Sequence, residues 1–389
     1  MIYVVYPLLL LLFFWGCSPK GRGNWNEEAF SLRQMKALQG FAALCIMLHH
    51  IGQKTCASWL PPNTIIPGLE FFVPIGYILV SLFIFCSGYG LHHSFKYKKD
   101  YLKKNFIVRR ILPVVFSGYV VTLIFFGVRL LLGEKMKGAQ IARYLLGVDL
   151  CNPNGWFVLI IPIFYLIFYL AYRFIRIEWL AFLAVVLCTL AYQLLGSIPD
   201  QNTSWIRGEW WYNSIHMFAV GIFFSKHEEK IVNHIKKYYI VYLILAVIGL
   251  FGFFMLSEFT KATVSYYWWG PGKVWHRRIC LLSEMAASFA VVFFLFVLGM
   301  KIRIGNRFLD LMGKITLEFY LIHGLFVELF ARKFADKLKS VHFFENNLLY
   351  VALVFVLALP SALILKKLRD LVFGRRKSGK KEAKGMEKA

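Results

Sequence analysis

Apolar and polar positions alternate along this chain on the scale of whole helices. Ten apolar runs follow one another at roughly 35–52, 70–91, 108–132, 156–175, 179–197, 210–225, 238–257, 279–300, 315–331 and 347–365. Each is close to the ~20 residues a bilayer-spanning helix needs. The connectors are short, and only a turn around Arg176 separates the fourth run from the fifth. The pattern predicts an all-α, polytopic membrane helix bundle of about ten spans over residues 31–370. Residues 2–15 are also continuously apolar, but they are short for a span. No basic residue precedes them, and Lys20 and Arg22 follow at the wrong end for a secretory signal. Residues 1–30 are therefore expected to be an uncleaved hydrophobic and basic extension, or the product of a start placed too early.

Polar residues inside the apolar runs mark where chemistry is expected, because an ionisable group among lipid-crossing helices normally faces the bundle or a wet cavity. The first run, LRQMKALQGFAALCIMLHHIG, carries His49 and His50. Gln39 lies eleven residues before His50, so the two share a helix face within ~20° and stand ~16 Å apart along the axis. Lys36 is one turn below Gln39. The second run ends in SLFIFCSGYGLHHSF, where Ser87, Gly88 and Gly90 form either a small-residue packing seam or a substrate contact. His92 and His93 are expected at the headgroups. In YLKKNFIVRRILPVVF, Lys103, Lys104, Arg109 and Arg110 gather just before Pro113. That cluster serves either to orient the chain or to hold a phosphorylated ligand, for which the forked guanidinium is suited. The ninth run, GKITLEFYLIHGLFVELF, holds Glu318 and His323, separated by ~140° of helix, so each is free to face a different neighbour. Thr316 and Tyr320 are weaker candidates. Glu284 in the eighth run needs a partner, with Arg129 the nearest candidate, and no spacing argument assigns His216 a task.

Composition agrees with the pattern. Hydrophobic residues make up 59% of the 389, charged residues 17%, and mean hydropathy is +0.59, which leaves no segment for a separate soluble domain. The net charge of +24 raises nucleic acid as a partner, but the basic residues sit in connectors between apolar runs. With the first helix starting inside, 31 of the 45 Lys and Arg fall in inner segments and 13 in outer connectors. The positive-inside rule then puts both ends in the cytoplasm, in the inner membrane of a cell, with no nucleic-acid partner. Residues 371–389 read as a disordered basic tail near anionic lipid. None of the seven cysteines forms a CxxC pair, so no metal is expected; Cys56 and Cys151 both fall in outer connectors, which leaves a disulfide between them open. Phosphate-loop, GxSxG and HExxH motifs are absent. Histidine is then the best available acid or base, since its ordinary pKa lies near neutrality.

LQGFAALCIMLHH, FIFCSGYGL, RRILP, GWFVLIIPIFYL and GKITLEFYLIH together resemble bacterial membrane acyltransferase family 3, over about residues 31–370. The resemblance implies ten helices and an O-acyltransferase, or O-acetyltransferase, of the cell envelope. It implies acyl-CoA, expected to be acetyl-CoA, as co-substrate, and an exported or lipid-linked polysaccharide as acceptor. In the family's first helix a basic residue precedes the essential histidine by eleven positions. Here the histidine is His50 and the basic position is Gln39, a departure that Lys36 is placed to offset. A glutamate seen in many members after the tryptophan of the fourth helix is missing, with Ile160, Ile161 and Pro162 in that region. On this reading Lys103, Lys104, Arg109 and Arg110 hold the coenzyme phosphates. His50, beside His49, acts as general base or acyl carrier, and Gln39, Lys36, Ser87, Glu318 and His323 support it or bind acceptor. The competing readings are a glycan or lipid transporter or flippase, and a transferase for a small cytosolic acceptor.

Overall fold

The computed structural model describes residues 2–198, 208–265 and 274–374. Among these, thirteen α-helices follow in order: α1 (Val5–Phe14), α2 (Leu32–Thr55), α3 (Gly76–Tyr97), α4 (Leu112–Leu131), α5 (Gly138–Leu145), α6 (Phe157–Phe174), α7 (Glu178–Gly196), α8 (His216–Lys237), α9 (Tyr239–Thr260), α10 (Val274–Gly299), α11 (Arg307–Lys314), α12 (Thr316–Phe330) and α13 (Asn347–Phe373). Two antiparallel ladders of two residues per strand complete the fold, β1 (Ser18–Pro19) with β2 (Ile302–Arg303) and β3 (Lys333–Phe334) with β4 (Leu338–Lys339). The chain is all-helical, as the hydrophobic pattern predicts.

Seven of these helices are long and apolar enough to cross a membrane: α3, α4 with the π-helical turn before it, α6, α7, α9, α10 and α13. The sequence pattern predicts ten. The other three runs do form helices, α2, α8 and α12, but each falls short for a physical reason. Helix α2 is too polar, yet 17 of its 24 residues are buried by protein, so its polar groups do not meet lipid. The second half of α8, KHEEKIVNHIKK, is charged, and α12 has only 15 residues. In contrast α9 turns Ile244, Ile248, Phe251, Met255 and Phe259 outward at helical spacing, a lipid-facing stripe.

Helix α2 is the axis of the bundle. Ser31 caps its start by accepting from the Gln34 amide, and Gln34 in turn bonds Asn26 and the Gly299 carbonyl. Gly40 lets α11 close on it, since a Cβ there would stand 2.7 Å from the Leu309 carbonyl oxygen. Helices α3 and α8 are pressed together in the same way at Gly88 and Gly221. Gly90, expected in the same seam, has nothing within 4 Å of an added Cβ and takes no part in it.

The N-terminal stretch packs on this core rather than trailing from it. Tyr6 donates to the Gly68 carbonyl at 3.1 Å, Phe13 packs edge-on against Phe41, and Asn306 donates to the carbonyls of Leu12 and Trp15. Residue 2 therefore lies level with the C-terminal end of α2 and residue 15 level with its N-terminal end. Arg369, paired with Glu318, returns α13 to that second level. Helix α13 continues to Phe373, so residues 371–373 of the predicted disordered tail are helical, because the apolar periodicity runs on through Leu371, Val372 and Phe373. Residues 375–389 of that tail lie outside the described residues.

His92 is buried by protein, its ring meeting Ser225 Oγ at 3.0 Å and Glu178 at 3.5 Å. Two further expectations are corrected. Arg129 does not reach Glu284; it donates to Glu134 at 2.8 Å and to the Cys151 carbonyl at 3.1 Å, both close in its own connector. Cys56 and Cys151 are free thiols, and burial pushes Cys151 up to about 11, which disfavours the thiolate that disulfide exchange requires.

Candidate active site

His50 sits one turn before the end of α2, and α12 brings His323 to it. Their rings stack at 5.0 Å between centroids, and His50 Nδ1 lies 2.8 Å from His323 Nε2. His323 Nδ1 lies 2.7 Å from the Phe319 carbonyl oxygen, one turn earlier on α12. A carbonyl only accepts, which assigns the protons along this chain. His323 Nδ1 carries hydrogen and donates to Phe319, so the neutral His323 ring accepts at Nε2. His50 therefore donates from Nδ1 and keeps a bare lone pair on Nε2. That nitrogen has no hydrogen-bond partner among the described residues. His49, next in the chain, is held apart from the relay, its Nδ1 at 2.9 Å from the Phe72 carbonyl oxygen.

Toward the N-terminal end of α2 runs a cavity of about 970 Å³. Gln39, Ile46, Val80, Phe83, Ser87, Phe157, Ile161, Tyr165 and Tyr320 form its walls, so the Lys36–Gln39 face of α2 points into it as the helix spacing predicts. The cavity stops at Tyr320, whose ring is 6.4 Å from that of His50. Tyr320 in turn donates to the Asn154 carbonyl at 2.5 Å, and Asn152 donates to the Leu321 carbonyl at 3.1 Å. The connector before α6 thus closes the far end. Ser87 accepts from Tyr165 at 3.3 Å on the wall.

The mouth is cationic. Arg33, Lys36, Arg109, Arg110, Lys314, Lys366 and Arg369 line it together with Asp310, Glu318 and Asp370. Arg33 is neutralised by Asp310 at 3.0 Å, Lys366 by Asp370, and Arg369 by Glu318 and Asp370. Lys36, Arg109, Arg110 and Lys314 form no ion pair among the described residues; Arg110 reaches Ser94 Oγ at 3.5 Å and lies over the Tyr101 ring at 5.5 Å. Four basic residues without an ion pair around one opening suit a ligand with several negative charges. Lys103 pairs with Asp100 at 3.4 Å, and neither it nor Lys104 lines the cavity.

Of the residues singled out in the sequence, the structure therefore brings Lys36, Gln39, Ser87, Arg109, Arg110 and Glu318 onto one cavity. His50 and His323 stand together behind its closed end. Glu318 and His323 face different neighbours, Arg369 and His50. Sequence reasoning missed Lys314, Lys366, Arg369 and the Asn152–Asn154 plug. A signal existed for Lys366 and Arg369, three residues apart and so on one face of a helix that runs on through them; none existed for the plug.

Seven helices apolar and long enough to cross a membrane, four of which line the polar cavity, make this a multi-pass membrane protein. The chain belongs to the acyltransferase 3 family, whose acyltransferase domain matches residues 32–367, from the first residue of α2 into the last turns of α13. It is a membrane acyltransferase. No curated protein and no solved structure matches the chain significantly.

Proposed function

We propose that the protein transfers an acyl group, acetyl in the simplest case, from acyl-CoA to a hydroxyl of an exported or lipid-linked glycan. The observation that carries this reading is the proton order Phe319–His323–His50, which leaves a basic nitrogen one ring beyond a cavity with a cationic mouth. The excess of basic residues at that end supports a mouth facing the cytoplasm, where acyl-CoA is found, in the inner membrane. The coenzyme phosphates lie against Lys36, Arg109, Arg110 and Lys314, and the thioester arm follows the apolar walls inward. For transfer, Tyr320 must shift aside, because it separates the cavity from His50.

His50 Nε2 then takes the proton of the acceptor hydroxyl as its oxygen attacks the thioester carbonyl. The new ester C–O bond forms, the C–S bond breaks, and the imidazolium returns its proton to the departing thiolate, giving coenzyme A. His323 accepts from Nδ1 throughout and stabilises the imidazolium while it lasts. Sealed vesicles holding the purified protein test the reading. Labelled acetyl-CoA on the mouth side should acylate a glycan acceptor on the opposite side, whereas transport without covalent change, or acylation on the donor side alone, would refute it.

Two further results are expected. An ionic hydrogen bond contributes about 1.5–3 kcal/mol, so removing both Arg109 and Arg110 as Ala should raise the KM for acetyl-CoA by at least about tenfold. The KM for S-acetylpantetheine, which lacks the phosphates, should not change. Lys36→Gln should weaken acetyl-CoA likewise, and adding Gln39→Arg should restore it, because both side chains face the same cavity one turn apart. Failure of the double variant to recover in steady-state kinetics would show that the cation must stand at Lys36.

A further inference from the structure

The inner part of the cavity is enclosed without charge. Ile46 of α2, Val80 and Phe83 of α3, Phe157 and Ile161 of α6 and Tyr320 of α12 form it, while the cations and carboxylates that line the same cavity stand around the mouth. On α2 the last charged lining residue is Lys36. It lies ten residues before Ile46 and fourteen before His50, so ~15 Å and ~21 Å away along the helix axis. On α12 the last one is Glu318, a carboxylate already held by Arg369.

Past Tyr320 there is no free cation to take over. The next one on α2 is Lys54, one turn beyond His50, and it is committed twice. Its Nζ lies 3.1 Å from Glu328 Oε1 and 2.7 Å from Asp336 Oδ1. Glu328 is only 1% exposed, and its second oxygen accepts from the Ala335 amide at 2.7 Å. Drawing Lys54 toward a ligand would leave that carboxylate buried without its cation, a strongly unfavourable exchange. Arg129 is held by Glu134 in the same manner.

We infer that this uncharged chamber selects donors by the charge of the acyl group: short neutral groups such as acetyl enter, and dicarboxylic ones such as malonyl and succinyl are refused. The inference rests on the acyltransferase reading above and adds to it the chemical class of the acyl group. Every acyl-CoA presents the same phosphates to the mouth, so only the chamber can tell one acyl group from another. The physical cause is desolvation. A carboxylate carried inward exchanges water for Ile, Val and Phe side chains, which is costly for an ion with no partner. With its thioester at His50, such a carboxylate extends only one or two methylenes further, far short of Lys36. A neutral acyl group of equal length loses no such hydration and gains from the apolar walls. Ile161 and Val80 are wall positions at which a single ammonium would supply the missing partner.

Membrane vesicles from cells producing the full-length protein, mouth outward and carrying their own glycans, form the test. Incorporation of a labelled acyl group into glycan is measured against vesicles that lack the protein. Propionyl-CoA is paired with malonyl-CoA and butyryl-CoA with succinyl-CoA, so that length is matched and charge is not; acetyl-CoA is the reference. In each pair whose neutral member is used, that member should be favoured at least tenfold in kcat/KM. A smaller ratio would overturn the inference. Use of acetyl-CoA with all four longer donors refused would do the same, since length would then be the discriminator. Ile161→Lys and Val80→Lys should each improve the dicarboxylic donor relative to its neutral partner tenfold or more. Unchanged ratios in variants that still transfer acetyl would place the selection elsewhere and also overturn it. If neither variant folds, the wild-type ratios decide. Failure to transfer any acyl group, acetyl included, refutes the acyltransferase reading instead.

Discussion

Replacing His50 with Ala is expected to lower acyl transfer by about 10²–10⁴-fold, the contribution of a positioned general base. The loss should appear in kcat and not in the KM for acetyl-CoA, because His50 stands behind Tyr320 and not on the cavity wall that receives the donor. His323 acts through His50, and its removal should cost less. Losing the buried hydrogen bond at 2.8 Å frees the His50 ring to change tautomer and orientation, worth about 1–3 kcal/mol, or roughly 5–150-fold in kcat. His323→Gln, whose amide oxygen can reach the same position and accept from Nδ1, should recover part of that loss where His323→Ala does not. Equal defects in the two His323 variants would mean that the ring fills space and does not order protons. Acid-quenching the enzyme with labelled acetyl-CoA, before acceptor is added, separates direct transfer from an acyl-imidazole at the same nitrogen.

The second large effect is expected at Gly88. A Cβ on Gly88 would stand 2.0 Å from the Phe218 carbonyl oxygen, and one on Gly221 would stand 2.2 Å from that of Phe85. Both neighbours are backbone, so relief requires α3 and α8 to separate along the whole contact. Gly88→Ala should therefore destabilise the bundle by about 3 kcal/mol or more, at the upper end of overpacking penalties. It should show as a lowered midpoint in thermal unfolding in detergent and a reduced monodisperse fraction. Gly90→Ala, two residues away with open space around it, should leave stability unchanged or raise it by about 0.5–1 kcal/mol through helix propensity. Comparable behaviour of the two variants would show that the close approach of the helices does not limit stability.

These two glycines illustrate what a linear reading resolves. SGYG reads as a seam of small residues, but which glycine meets a neighbour depends on the rotation of α3 about its axis, and that is set by α8, more than a hundred residues away. The same holds for the basic cluster. Lys103, Lys104, Arg109 and Arg110 look equivalent in YLKKNFIVRRILP, yet the π-helical turn over Ile107–Ile111 carries only the two arginines to the cavity. Counting spans by hydropathy fails differently: α2 is polar for a membrane because other helices, not lipid, surround most of its length, and α8 is buried mainly over its first half before it turns charged. Glu284 and Arg129 are both charges inside apolar runs, but Glu134, five residues from Arg129, meets it first.

The helical class, the membrane setting and the residues able to carry a proton were all decided along the chain, because apolar run length, helical periodicity and residue type are local properties. The eleven-residue spacing from Gln39 to His50 likewise anticipated a single polar face on α2. The His50–His323 pairing, the proton order set by the Phe319 carbonyl and the closure of the cavity at Tyr320 depend on which helices adjoin. Those arrangements join residues up to 273 positions apart, and they come from the packing of faces against one another, on which no single stretch of sequence carries information.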